Sequence, residues 1–198
     1  MKHIKIGVDM DEVLVDINQA MIDGYNEKHG TNFQKKDVKS FFLEELFGCT
    51  KEEMFEFMEE FFFSEHHKEA APLIGAIEGI EQLKVYDLVL ITARPEHVRS
   101  VTEEWLAKHF PNTFSEIHLI GDSIGLGGMK QTKGDMAIVL GIQIFIEDSL
   151  SNAKNIAAKG IPVVLIDAPW NQGDLPDDIT RAFSWEEIVE HVTRLIKK

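Results

Sequence analysis

The chain alternates between two hydrophobic rhythms: short unbroken apolar runs, and stretches in which an apolar residue recurs every third or fourth position. The first run, His3-Ile4-Lys5-Ile6-Gly7-Val8, is too short for an independent helix and rich in Ile and Val, so it predicts a buried strand. From Ile17 to Gly30 the period turns helical, with Ile17, Met21, Ile22 and Tyr25 on one face and Gly30 as the stop. Thr31 to Lys39 is polar and irregular. Phe41, Phe42, Leu43, Leu46 and Phe47 follow, ended by Gly48, and Thr50-Lys51-Glu52-Glu53 has the form of a capping box that opens a helix through Phe62.

After Pro72-Leu73-Ile74-Gly75, a helix over Ala76 to Lys84 leads to a second buried-type strand, Asp87 to Ala93. Pro95 falls where the next helix should begin, at its favoured first position, and that helix ends before Pro111. Ile117 to Ile120 is a third strand, Ile142 to Ile146 a fourth and Ile161 to Ile166 a fifth. Helices capped by Thr132, by Ser149 and by the capping box at Ser184 fill the intervals and the end of the chain. Uninterrupted apolar strands alternating with helices predict an α/β fold with a parallel sheet covered on both faces. The all-helical stretch between the first two strands is too long for a simple crossover and should form a separate cap. Eight of the 13 phenylalanines lie between Phe41 and Phe63; helical spacing explains most as the core of that unit, and the rest could line a pocket for a flat ligand.

Composition narrows the partners. The net charge of −14, with no Lys/Arg run, would repel a phosphate backbone and argues against nucleic acid as a partner. No apolar run approaches the length of a membrane helix, and the opening residues lack the form of a signal peptide. Cys49 is the single cysteine, which fits a reducing cytoplasm. An acidic protein that handled phosphates would need a metal ion and a few placed cations.

Polar signals follow four of the strands: Asp9 and Asp11; Thr92; Lys130 and Lys133; Glu147 and Asp148. The carboxyl ends of a parallel sheet share one edge, so these groups should converge. The chemistry they suggest is phosphoryl transfer. Asp9 could attack phosphorus and form an aspartyl-phosphate, while Asp11 protonates the leaving oxygen and later deprotonates water. Mg²⁺, a hard ion, would suit carboxylates from Asp9, Asp148 and Glu147. Thr92, with the backbone N–H groups of Ala93 and Arg94, suits a phosphate oxygen, and Lys133 or its competitor Lys130 would offset the charge. Blander readings exist for each: Asp9 and Asp11 as helix caps, Lys133 as a solvated lysine, Arg94 as a partner for some carboxylate. His66 and His67, adjacent on a helix, should diverge rather than share a metal. Gly121 to Gly134 is glycine-rich, with Gly125, Gly127 and Gly128. It lacks the ending of a P-loop, which favours mobility near a site over a nucleotide cradle.

These residues resemble the haloacid dehalogenase superfamily of phosphohydrolases. The likeness rests on Asp9-Met10-Asp11-Glu12-Val13, Ile91-Thr92, Lys133 and Glu147-Asp148, in order along the chain. It implies a three-layer, Rossmann-like core of residues 1–17 and 74–198, with a small helical cap, 18–73, inserted after the first strand. It also implies that Mg²⁺ is held by Asp9, the backbone oxygen of Asp11 and the late acid, leaving the Asp11 carboxyl free. Within the superfamily the sequence is most similar to the 5′(3′)-deoxyribonucleotidases and their bacterial relatives. The features are Lys39-Ser40-Phe41-Phe42, Pro72 to Ala76, Ile91-Thr92-Ala93-Arg94-Pro95 and Pro169-Trp170-Asn171. By position this implies Phe41 and Phe42 as the aromatics against a base. Glu12, where many members have Gly, and Glu147, in place of a first Asp, are departures that bear on substrate choice. The expected partner is a small phosphomonoester of the nucleoside monophosphate kind, with a phosphatase or mutase for sugar phosphates or other small metabolites as the alternative and a non-catalytic binding domain as the remaining option. A homodimer is compatible with the sequence, which does not set the oligomeric state.

Overall fold

Six strands form one sheet in the computed structural model, which describes residues 4–40, 42–121 and 131–197. Phe41, Lys130, Gly125, Gly127 and Gly128 lie outside the described residues, and the expectations attached to them lie there too. The strands are β1 (Lys5–Val8), β2 (Asp87–Pro95), β3 (Glu116–Gly121), β4 (Ile144–Glu147), β5 (Val163–Ile166) and β6 (Ile179–Ala182). Their order is β3-β2-β1-β4-β5-β6, and every neighbouring pair is parallel. From β1 the chain builds outward through β2 to β3, then returns to the other side of β1 for β4. That reversal, between β1 and β4, opens a crevice beyond the strand ends where open α/β sheets bind their ligands.

Apolar clusters cover both faces of the sheet. One runs from Ile6 and Val8 through Val13 and Leu14 to Trp185 and Ile188. The other gathers Val89, Ile91, Phe145, Ile156 and Val163. Five helices pack on this core: α5 (Ala76–Leu83), α6 (Arg99–His109), α7 (Lys133–Leu140), α8 (Leu150–Ala157) and α9 (Trp185–Ile196). The expected capping box at Thr50 forms, and the expected cap at Thr132 is a full capping box. The one expected at Ser184 forms only by half: Ser184 accepts from the Glu187 N–H, but the Glu187 carboxylate takes the N–H of Phe183, one residue earlier. Four helices precede α5 along the chain: α1 (Ile17–His29), α2 (Leu43–Phe47), α3 (Lys51–Phe62) and α4 (Glu65–Lys68), all inserted between β1 and β2.

Aromatic packing holds these four together. Tyr25 of α1 stacks on Phe47 with ring centroids 3.8 Å apart and meets Phe57 edge-on at 5.3 Å. Phe47, Phe57, Phe61 and Phe62 are buried, as helical spacing requires, whereas Phe42, Phe55 and Phe63 stay about half exposed. The two chain crossings between this segment and the sheet lie side by side. The Asp16 N–H donates to the Ala71 carbonyl (2.9 Å) and the Leu73 N–H to the Leu14 carbonyl (2.8 Å).

Four local expectations change. Pro95 does not begin a helix: at φ −75° and ψ 156° it is extended and closes β2, followed by a 3₁₀ turn, Glu96–Val98, before α6. The stretch Thr31 to Lys39 contains a 3₁₀ turn, Lys35–Asp37. β4 and β5 each begin two residues later than the apolar runs do. β6 was not foreseen, because an edge strand with polar middle residues, Thr180 and Arg181, carries no apolar run.

Near Pro95 the β2–β3 register shifts, and Pro95 comes to face Gly121. A Cβ on Gly121 would lie 2.0 Å from the Ala93 carbonyl oxygen. That oxygen is backbone and cannot rotate away. Gly121→Ala is therefore expected to lower stability by roughly 1–3 kcal/mol, the range for overpacking, read as a reduced urea midpoint with an unchanged slope.

Candidate active site

The turn that follows β1 is set by burial. Met10, Val13 and Leu14 are inaccessible, and the N–H groups of Leu14 and Val15 both reach the Met10 carbonyl, at 2.8 and 3.2 Å. The Trp185 indole donates to the Val13 carbonyl (2.9 Å) and fixes the far side of the turn. Asp9 leaves β1 with its N–H still paired to Ile146 of β4 (3.0 Å), so its side chain emerges beside the end of β4. Glu147 and Asp148 emerge at that same end, and carboxylate oxygens of all three acids lie within 4.8 Å of one another. Lys133, first residue of α7, reaches in between and binds Asp9 Oδ2 at 2.7 Å and Glu147 Oε2 at 2.8 Å. Its side chain is 1% exposed.

Three buried carboxyls face one ammonium. Burial first, and then the Glu147 charge, hold the Asp9 carboxyl well above the usual carboxylate range. Burial, Glu147 and Asp9 do the same to Asp148. Lys133 moves up because the charges of Asp9 and Glu147 outweigh its own burial. The surplus is negative and its donors are hard oxygens, a set that fits a hard divalent cation. The two acids of the late pair differ. Glu147 has both oxygens occupied, by Lys133 and by the Ser149 N–H (3.0 Å) and Asn152 Nδ2 (3.3 Å). Asp148 accepts one bond on Oδ2, from the Trp170 indole (2.8 Å), and its backbone oxygen accepts from Asn171 Nδ2 (2.6 Å).

Asp11 points the other way. Arg94 grips its carboxylate bidentately: Nη2 donates to Oδ1 at 2.6 Å and Nε lies 3.2 and 3.1 Å from Oδ1 and Oδ2. Thr92 is fully buried, and its Oγ1 accepts from the Arg94 N–H (3.2 Å) while keeping its own hydrogen to donate. Ala93, by contrast, is exposed toward a cavity of about 330 Å³ that also meets Asp9, Asp11, Arg94, Lys133 and Asp148. The far wall of this cavity is apolar, made by Ile17, Met21, Leu43, Met54, Met58 and Phe62, with Phe42 at its edge.

The family model for "5′ nucleotidase, deoxy (pyrimidine), cytosolic type C protein" matches residues 2–197. The chain belongs to this family. It is a phosphatase of the 5′-nucleotidase type within the haloacid dehalogenase superfamily. A relative from Halalkalibacterium halodurans is 28% identical over 100% of this chain and 96% of its own length. A nucleotidase from Clostridium acetobutylicum is 27% identical over 100% of this chain and 98% of its own. The fold is shared with a haloacid dehalogenase-like hydrolase from Streptococcus pneumoniae, with a TM-score of 0.69 at 19% identity, covering 96% of this chain and 98% of that one. Among the described residues no helix is long and apolar enough to cross a membrane.

Sequence reasoning assigned no role to Glu12 or Asp16, and both have one in the nucleotidase. Asp16 caps α1 through the Gln19 N–H (3.2 Å). Glu12 is buried at φ 54°; its oxygens accept from the Asn18 N–H (2.8 Å) and Lys35 Nζ (2.9 Å), and Lys35 also binds Asp16 at 2.5 Å. Trp170 and Asn171, quoted only for their likeness, brace Asp148. Arg94 takes the carboxylate left open for it, which is Asp11. His66 and His67 diverge as expected, toward Glu27 and toward Arg94.

Two stability effects follow. Lys133→Met leaves buried carboxyls without their cation and is expected to cost about 3–5 kcal/mol at neutral pH, measured by urea unfolding. Burial and the adjacent Arg94 push the His67 ring from 6.5 down to about 4. Between those values the unfolded chain binds the proton and the native ring does not, so stability falls as pH drops through that window. In His67→Leu the unfolding free energy should decline less steeply between pH 6.5 and 4 than in the parent, in a urea series at stepped pH.

Proposed function

We propose that this nucleotidase hydrolyses deoxyribonucleoside monophosphates through an aspartyl-phosphate, with residues 18–73 serving as a cap over the site. What carries the reading is the union in one cavity of Asp9 at the end of β1 with an apolar wall large enough for a base. The volume lies at the lower end for small-ligand sites.

An oxygen of Asp9 bonds to phosphorus while the bond from phosphorus to the sugar oxygen breaks, its electron pair leaving with that oxygen. The Asp11 carboxyl supplies the proton the leaving oxygen takes. In the second half Asp11 accepts a proton from water as the water oxygen attacks phosphorus, and Asp9 is released with its electron pair. Lys133 holds Asp9 in line and offsets negative charge on the phosphoryl group. The Thr92 hydroxyl, whose hydrogen is uncommitted, and the Ala93 N–H would donate to phosphate oxygens. Asp9, Asp148 and the Asp11 backbone oxygen would hold Mg²⁺, which when bound would shield the acids from the incoming phosphate. Glu147, with both oxygens engaged, supports Lys133 and completes the acidic set. The methionines and Phe62 offer the base a polarizable apolar surface, with Phe42 beside it.

The test is phosphate release from a panel of deoxyribonucleotides, ribonucleotides and sugar phosphates. Parent activity should require Mg²⁺ and vanish with EDTA. Asp9→Asn is expected to fall below ~10⁻³ of the parent rate, as for loss of a nucleophile. Unchanged turnover in Asp9→Asn would remove the nucleophile, and a preference for sugar phosphates over every nucleotide would remove the substrate assignment. Met58→Lys should raise KM for nucleotides while leaving small alkyl phosphates nearly unaffected.

A further inference from the structure

Resting on that reading of the reaction, we propose that Arg94 is a positioning residue for Asp11, and that His67 of the helical segment holds Arg94 in that role. The guanidinium side chain is 1% exposed and has a fixed planar fork. One side of the fork, Nε and Nη2, takes both oxygens of Asp11. The opposite nitrogen, Nη1, contacts His67 Nε2 at 3.0 Å and Thr102 Oγ1 at 3.1 Å. Its face lies over the Phe62 ring, 5.1 Å from the centroid. Turning the fork to release Asp11 therefore disturbs His67, Thr102 and Phe62 together. The Asp11 side chain remains 32% exposed, so one side of a carboxyl pinned by Arg94 is open to a substrate.

His67 does more than fill space. Arginine can only donate, so His67 Nε2 must accept, and the ring hydrogen sits on Nδ1. That Nδ1 is buried and has no hydrogen-bond partner among the described residues. A buried donor left unpaired lowers stability, and an apolar side chain of similar volume would avoid the loss. The stacking of Phe61 and Phe62 edges around the same ring makes an apolar replacement easy to house. A leucine would remove that unpaired donor but leave one Nη1 hydrogen of Arg94 without its acceptor, so what the histidine provides is a single acceptor aimed at Arg94. Since His67 and Phe62 belong to the inserted segment while Asp11 and Thr102 belong to the core, the orientation of Asp11 depends on that segment being seated.

A positioning role for the proton donor has a signature that a purely structural role lacks. A leaving oxygen that is a poor leaving group needs the proton, whereas a nitrophenolate does not. The experiment compares kcat/KM for benzyl phosphate and p-nitrophenyl phosphate, similar in size, in the Mg²⁺-loaded parent, Arg94→Lys and His67→Leu. In both variants benzyl phosphate should lose about 10²-fold and p-nitrophenyl phosphate less than about threefold. His67→Leu leaves Arg94 bonded to Asp11 and Thr102, and it carries the test if Arg94→Lys does not fold. Equal losses on both substrates, or no loss on either, would overturn the positioning role and leave the hydrolase intact. A parent that releases phosphate from no ester would overturn the hydrolase and this proposal together.

Discussion

The arrangement turns on one buried ammonium. Lys133 sits between Asp9 and Glu147, at 2.7 and 2.8 Å, in a place where three carboxyls have lost their water. Isolated charges cannot be buried this way; they are tolerated when paired and hydrogen-bonded. The fold supplies the pairing in layers. Parallel strands β1 and β4 are neighbours, so their carboxyl ends bring Asp9, Glu147 and Asp148 together. The capping box at Thr132 starts α7 where its first side chain points into that cluster. Asn152 then donates to Glu147 and the Trp170 indole to Asp148, while Asn171 holds the Asp148 backbone oxygen.

Even so, the account of charge does not close on protein groups alone. Among the described residues the cations that meet the cavity are Lys133 and Arg94, and both are already committed to carboxylates. A phosphate dianion entering this cavity in a protein of net charge −14 would meet a negative field. Two backbone and hydroxyl donors near Thr92 soften that field locally but cannot reverse it. The same surplus that raises the Asp9 and Asp148 carboxyls is what a hard divalent cation would relieve, and it is the physical ground for the proposed Mg²⁺.

Much of this was legible because strand ends in a parallel sheet obey a simple rule. Asp9, Thr92, Lys133 and Glu147-Asp148 each follow or flank an apolar run, and a shared edge is enough to group them without knowing strand order. The order itself was hidden, since spacing does not say on which side of β1 a later strand lands. β6 escaped notice because its middle residues are polar, and Pro95 misled because a proline that opens a helix also fits the end of a strand. The larger omission was pairing at a distance. Arg94 and Asp11 are 83 positions apart and Arg94 and His67 are 27 apart, and no periodicity links them. Glu12, Asp16 and Lys35 form another such set, joined only when the chain folds back on itself.

Those two sets of contacts bear on the same short turn. Asp11 is tied through Arg94 to His67, and its neighbour Glu12 is tied through Lys35 to the 3₁₀ turn of the inserted segment. One apolar cluster also continues from Leu14 beneath the turn to Tyr25, Phe47 and Phe57 within that segment. The helices between β1 and β2 are therefore not an appendage whose position is independent of the chemistry. Moving them away from the sheet would strain the salt bridge at Glu12, whose φ of 54° already departs from the conformation side chains prefer, and would loosen the fork at Asp11. Seating the segment does both things at once: it supplies the apolar wall of the cavity and holds Arg94 against Asp11, the carboxyl proposed to handle the proton. On the proposed reaction, binding of the apolar part of a substrate and readiness for proton transfer would be linked through the same few residues.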